Sequence, residues 1–153
     1  VYKTITSLVE KYQIVPSTLK LEITETAIMT GTAGELEIIG QFRKYGFEVE
    51  IDDFGSGYSS LNMLKDVKVD ALKLDRVFFE SGDNDERGKD IIQSVIKLAQ
   101  ALDLHTISEG VEERKQVEFL KEMHCDLIQG YVFAKPMPVP EFEQLAFGTE
   151  AAD

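Results

Sequence analysis

Tryptophan is absent from these 153 residues and cysteine occurs once, at Cys125. A lone cysteine cannot form an internal disulfide, so the chain reads as belonging to a reducing, cytoplasmic compartment. Cys125 itself reads as a small buried residue opening a strand. The two histidines, His105 and His124, lack metal-ligand spacing and read as ordinary fold residues. Cationic side chains are scarce: 16 Lys and Arg stand against 28 Asp and Glu, a formal charge of −12. Non-specific grip on nucleic acid needs basic patches, so DNA is excluded as a partner. No apolar run approaches the roughly 20 residues that span a bilayer and no signal peptide opens the chain, so this segment makes no direct membrane contact.

What is present is a globular composition, 43% hydrophobic and 29% charged, long enough for one domain with a real core. The opening stretch VYKTITSLVEKY reads as a helix already under way, without an initiating methionine, as in a piece of something longer. Apolar periodicity then predicts strands at LKLEITE (Leu19 to Glu25), FEVEIDD, VDALKLD (Val69 to Asp75), HTISEG and CDLIQGYVF. Helices are predicted at GELEIIGQFRKY with Gly46 as its cap, at SSLNMLKD, IIQSVIKLAQALD and EERKQVEFLKEM, and after the proline-rich turn KPMPVP. SGDNDERGKD reads as a polar loop, and residues 148–153 as a frayed tail. Five alternations of strand and helix are the pattern of a parallel α/β sheet.

In such sheets the ligand site lies at the carboxyl ends of the strands. Glu22, Glu25, Asp52, Asp53, Lys73, Asp75, Glu109 and Gln129 all fall at or near those ends. Converging carboxylates are costly as bare anions but suit hard divalent cations. Two such cations form a clamp for in-line attack on a phosphodiester. Asp52 and Asp53 alternate in direction along a strand, and a bend between them brings both to one rim. Lys73 is placed to neutralise charge or orient a water, and Glu109 to bind metal or act as base. Plainer roles exist for each: a solvated turn or helix cap for the acidic pair, an ion pair for Lys73, a cap on VEERKQ for Glu109. Glu50 shares a strand face with Asp52, and either lines the interior, pairs with a cation or has no role. Phe54 and Tyr58 read as loop anchors. A doubly wound receiver-like domain is the alternative fold, disfavoured because its acidic pair sits on the first strand and its lysine on the last.

The segments LEITE, DDFGSGYSSL, VDALKLDRVFF, SEGVEE and DLIQGYVFAKPM, in that order, resemble EAL-type cyclic-di-GMP phosphodiesterase domains. The resemblance implies a (β/α)8 TIM-like barrel, of which this chain supplies about five strand-helix units, with residues 1–147 as the C-terminal portion of the domain. It implies hydrolysis of cyclic di-GMP to linear pGpG with Mg²⁺ or Mn²⁺ in a two-metal site. Matched by motif, Glu22, Asp52, Asp53 and Glu109 are the implied metal ligands, with Asp52 bridging. Lys73 and Glu109 are the implied catalytic residues, and Asp75 and Gln129 the substrate-side ones. Glu25 steadies the loop of Phe54, Gly55, Ser56 and Gly57, which links the site to a dimer interface; Ser56 stands where threonine is more usual.

The glutamate-alanine-leucine signature and the asparagine ligand that follows it are not in this sequence, and belong to a part N-terminal to Val1. The resemblance therefore carries two function classes: an enzyme, or a non-catalytic module that binds cyclic di-GMP or a protein. A homodimer or higher oligomer is expected, and an upstream sensor or diguanylate-cyclase-like domain is a further implied partner.

Overall fold

In the computed structural model residues 1–55, 61–79 and 86–148 are described. The element order is α1 (Tyr2–Tyr12), β1 (Lys20–Thr24), α2 (Glu25–Thr30), α3 (Ala33–Tyr45), β2 (Glu48–Phe54), α4 (Leu61–Asp66) and β3 (Ala71–Leu74). Then follow α5 (Glu86–Ala101), β4 (His105–Ser108), α6 (Arg114–Glu122), β5 (Leu127–Ile128) and α7 (Val139–Phe147). The five strands form one parallel sheet in the order β1-β2-β3-β4-β5. Spatial order thus equals chain order, with no point at which the winding reverses. That excludes the doubly wound receiver-like alternative, whose strand order must switch.

Alternation along the strands divides the sheet into two chemically different faces. Val49, Ile51, Leu72 and Leu74 are fully buried and join one core with Ile39 and Phe42 of α3, Ile92 and Ile96 of α5, and Val117 and Leu120 of α6. By register, the opposite face carries Lys20, Glu22 and Thr24 of β1, Glu48, Glu50 and Asp52 of β2, and Ala71 and Lys73 of β3. One side of the sheet is therefore apolar and helix-covered, the other strongly charged.

Local chemistry sets the element ends. Thr32 and Glu35 form a reciprocal capping box that starts α3, and Gly46 ends it in the left-handed region at φ 112°, as its position in the sequence predicts. Glu113, not Glu109, starts α6: Gln116 Oε1 accepts from the backbone N–H groups of Glu112 and Glu113. Glu109 is thereby released from the capping role open to it in the sequence.

Four expectations need correcting. Glu25 opens α2 instead of closing β1, because the Thr24 side chain accepts from Ala27 N–H and caps a helix there. The segment Glu86–Asp90 is the start of α5, not loop; its charged residues are solvated first turns of an amphipathic helix. The last strand shrinks to Leu127–Ile128, since a side chain at Gly130 would meet the Val111 backbone at 2.0 Å and the chain turns there. Cys125 precedes that strand and is only half-buried, with Sγ donating toward the Leu127 and Thr106 carbonyls and burial pushing the thiol up.

The amino-terminal ends of the strands are fastened by a repeated device. Asp70, just before β3, accepts from the Val49 N–H of β2 at 2.9 Å and holds Arg43 of α3 through paired contacts of 2.6 to 3.1 Å. Asp126, just before β5, accepts from the Thr106 N–H of β4 at 2.8 Å and from its hydroxyl at 2.9 Å. Burial raises both carboxyls, but the hydrogen bonds win and hold them below the usual range. Removing Asp70 leaves a guanidinium and a strand N–H without their acceptor, so Asp70→Ala is expected to cost about 2–3 kcal/mol in urea unfolding at pH 7. Because the folded value is depressed, this contribution is complete above the unfolded carboxylate value of roughly 3.9 and is lost as pH falls through the lower, folded one. The gap between wild type and variant should therefore close in strong acid; a gap independent of pH would refute the assignment.

Candidate functional site

On the charged face, at the carboxyl ends of the strands, three carboxylates converge on one ammonium. Lys73 Nζ lies 2.6 Å from Glu22 Oε1, 3.0 Å from Asp52 Oδ1 and 2.9 Å from Glu109 Oε1. Four successive strands supply these groups: β1, β2, β3 and the residue that follows β4. Lys73 is 5% exposed. Burial pulls its pKa down, but the close contacts with Glu22, Glu109 and Asp52 outweigh that and hold it above the ordinary lysine value. The ammonium stays charged at neutral pH.

A bulge separates the two adjacent aspartates. The register between β2 and β3 shifts between Ile51 and Phe54, and Asp53 adopts φ 55°, a left-handed conformation that aspartate tolerates better than most residues. The strand does not end between the pair, as a simple bend would require; it runs on to Phe54, and the extra residue returns Phe54 to the core at 2% exposure. Asp52 consequently faces Lys73 while Asp53 turns outward. Burial, Asp52 and Asp75 together push the Asp53 carboxyl above the usual carboxylate range. Asp75 also accepts from the Val77 N–H at 2.7 Å, which starts the turn after β3.

Glu25 is buried at the base of the loop that follows β2, where Oε2 accepts from Gly55 N–H at 3.1 Å. Gly55 needs its φ of 95°, which other residues rarely adopt. Ser56, Gly57 and Tyr58 lie outside the described residues. Gln129 is not brought into the Lys73 cluster: its side chain is exposed, and its backbone bridges Ser108 and Val111. His105 is exposed beside Asp126 at the opposite end of the strands. Glu50 is the group that sequence reading left undecided. It is 4% exposed on the same face as Asp52, and burial raises its pKa, with Glu22 and Glu109 adding to the rise against Lys20 and Lys73. Its shared parity with Glu48 and Asp52 was the available signal.

Two observations test the fit of this site to a divalent cation. The donors are carboxylate oxygens, the ligands that hard cations prefer. Asp52 Oδ1 is fully buried and, though near Lys73, has no aligned hydrogen bond. Among the described residues no three His, Cys, Asp or Glu side chains are gathered as a ready cage, because Lys73 stands at the centre of the carboxylates. The donor set fits the group; the lysine occupies its middle.

Residues 1–136 match the EAL domain family. Among curated proteins, the cyclic di-GMP phosphodiesterase NbdA of Pseudomonas aeruginosa is 42% identical over 126 residues, 82% of this chain and 16% of the relative. The cyclic di-GMP phosphodiesterase RocR of the same organism is 39% identical over 145 residues, 95% of this chain and 37% of the relative. The chain therefore spans well under half the length of these curated relatives. Among solved structures, the PaMucR phosphodiesterase in complex with c-di-GMP superposes with a TM-score of 0.85 at 34% identity, covering 92% of this chain and 57% of that one. Klebsiella pneumoniae BlrP1, in a manganese and cyclic-di-GMP complex, gives 0.81 at 26% identity, covering 88% and 34%. The parallel five-stranded sheet is accordingly part of a TIM-barrel-like fold. With α1 to β5, and the whole Lys73 cluster, inside the matched residues, this chain belongs to the EAL domain family.

Proposed function

We propose that this chain forms the carboxyl-terminal portion, to Phe147, of a bacterial domain that hydrolyses cyclic di-GMP to linear pGpG. The observation that carries the proposal is the ring of Glu22, Asp52 and Glu109 around the buried ammonium of Lys73 at the strand ends. The likeness to relatives named as phosphodiesterases, and to a solved complex with c-di-GMP, supports the choice of substrate.

Glu22, Asp52, Asp53 and Glu109 would hold Mg²⁺ or Mn²⁺, which when bound supplies Lewis acidity and an activated water for attack at phosphorus. Lys73, charged and hydrogen-bonded, orients the attacking water and offsets negative charge as the phosphodiester is attacked. Glu109, already bonded to Lys73, is placed to accept a proton from that water. Asp75 and, through a turn of its exposed side chain, Gln129 would contact the substrate, and Glu25 holds Gly55 at the start of the regulatory loop. With formal charge −12, the chain repels a dianionic dinucleotide at long range, so binding depends on cations concentrated at the rim. Among the described residues no helix is long and apolar enough to cross a membrane. We place the domain in the cytoplasm, with an upstream sensor or diguanylate-cyclase-like domain as its source of regulation.

Two predictions follow from the site and the sheet borders. With the two further ligands of the domain restored, cyclic di-GMP and Mn²⁺ should yield pGpG on chromatography, Asp52→Ala should lower the rate by at least about 10²-fold, and the 153-residue chain alone should be slower or inactive. Cyclic di-GMP bound without product would replace hydrolysis by a binding role. Beside the border strand β5, Tyr131, Phe133, Phe142, Leu145 and Phe147 are each more than half exposed, and among the described residues no strand pairs with the outer border of β1. We propose self-association through these borders, so sedimentation velocity should give species heavier than the 17.2 kDa monomer. A single monomeric boundary at micromolar concentration would refute it.

A further inference from the structure

Glu50 and Lys73 are buried to the same degree, at 4% and 5% exposure, but their partners differ. Lys73 engages three carboxylates, whereas among the described residues the Glu50 carboxylate has neither a hydrogen bond nor an ion pair. Its place is nonetheless close to them. Glu50 is in register with Ala71, so it lies on the face that carries Asp52 two residues on in β2 and Lys73 two residues on in β3. Lys20 and then Lys73 attract the Glu50 carboxylate while Glu22 and Glu109 repel it, so it lies within electrostatic reach of the cluster.

Glu50 is largely buried, with some solvent left to its oxygens, and a carboxylate so placed with neither hydrogen bond nor ion pair is unfavourable and has no core role. Its presence makes sense if Lys73 does not always hold the other three. The following step rests on the metal-dependent reading above. A divalent cation on Glu22, Asp52 and Glu109 claims the carboxylates that now neutralise Lys73. An ammonium this buried requires another anion nearby. We infer that Glu50 is a positioning residue for Lys73, the reserve carboxylate that keeps the ammonium paired inside the site when a divalent cation takes Glu22, Asp52 and Glu109.

The test is Mn²⁺ binding, measured by titration calorimetry on the 153-residue chain and on a cycle of variants. Glu50→Gln should weaken Mn²⁺ binding about tenfold, because Lys73 then competes harder for the three carboxylates. Glu50→Asp, which keeps the charge, should restore affinity to within about threefold of wild type. Lys73→Met should bind Mn²⁺ more tightly than wild type, and Glu50→Gln placed in that background should change nothing further. Equal weakening in both backgrounds would make Glu50 a direct ligand and overturn the inference. Unchanged Mn²⁺ affinity in Glu50→Gln, with only the melting temperature altered, would overturn it in favour of a structural role. A wild-type chain that fails to bind Mn²⁺ would remove the metal-dependent reading and this inference together. Mn²⁺ binding with the expected variant pattern but without pGpG formation by this chain would support the inference and leave hydrolysis to the domain with its two further ligands.

Discussion

Everything at the upper rim of this sheet depends on one buried ammonium. Three carboxylates brought within hydrogen-bond reach of a single point would repel one another strongly in a poorly solvated setting. Lys73 makes the arrangement tenable by sitting among them. It also ties together four consecutive strands that otherwise touch only their immediate neighbours. Burial alone would have stripped its proton; the carboxylates reverse that outcome and keep the charge in place. The same geometry lets the site exchange one cation for another, since oxygen donors that satisfy an ammonium also satisfy a hard metal ion.

The two ends of the strands are built on opposite principles. At the amino-terminal ends, Asp70 and Asp126 each satisfy a backbone N–H of the preceding strand, with Arg43 or the Thr106 hydroxyl completing the bond set. Those carboxylates have defined partners and are spent on stability. At the carboxyl-terminal ends, Glu25 Oε1, Asp52 Oδ1 and Ser108 Oγ are buried without aligned hydrogen bonds, and Glu50 is 4% exposed with neither a hydrogen bond nor an ion pair among the described residues. Unsatisfied polar atoms are uncommon in folded proteins and gather where function demands them. The distribution of satisfied and unsatisfied carboxylates separates the supporting end of the sheet from the working end.

Much of this was legible in the sequence because it depends on parity and punctuation. The five alternations, the Gly46 cap and the clustering of Glu22, Asp52, Lys73 and Glu109 all follow from period-two or period-3.6 patterns. What stayed hidden involves partners far apart in the chain. Asp70 and Asp126 fell inside the predicted strands VDALKLD and CDLIQGYVF, and no pattern marked the neighbouring strand's N–H from which each accepts. The bulge at Asp53 was hidden because alternation assumes an unbroken ladder. The opening turns of α5 looked like loop because Glu86–Asp90 is wholly polar, and apolar spacing emerges only from Ile91 onward. Gln129 fell inside the long predicted strand CDLIQGYVF, but the true strand stops at Ile128 and the glutamine is exposed.

Strand order that matches chain order also bears on how such a sheet assembles. Every pairing closes one strand-to-strand connection, the shortest from Phe54 to Ala71 and the longest from Leu74 to His105, and the entropic cost of closure rises only slowly with length. No strand must wait for a distant partner to thread between two already paired. The sheet can nucleate at its apolar middle, where Ile51 and Leu72 lie side by side, and extend outward one unit at a time in either direction. A fold of this kind grows by addition at its borders, so the interior pairing survives whatever neighbours β1 and β5 acquire.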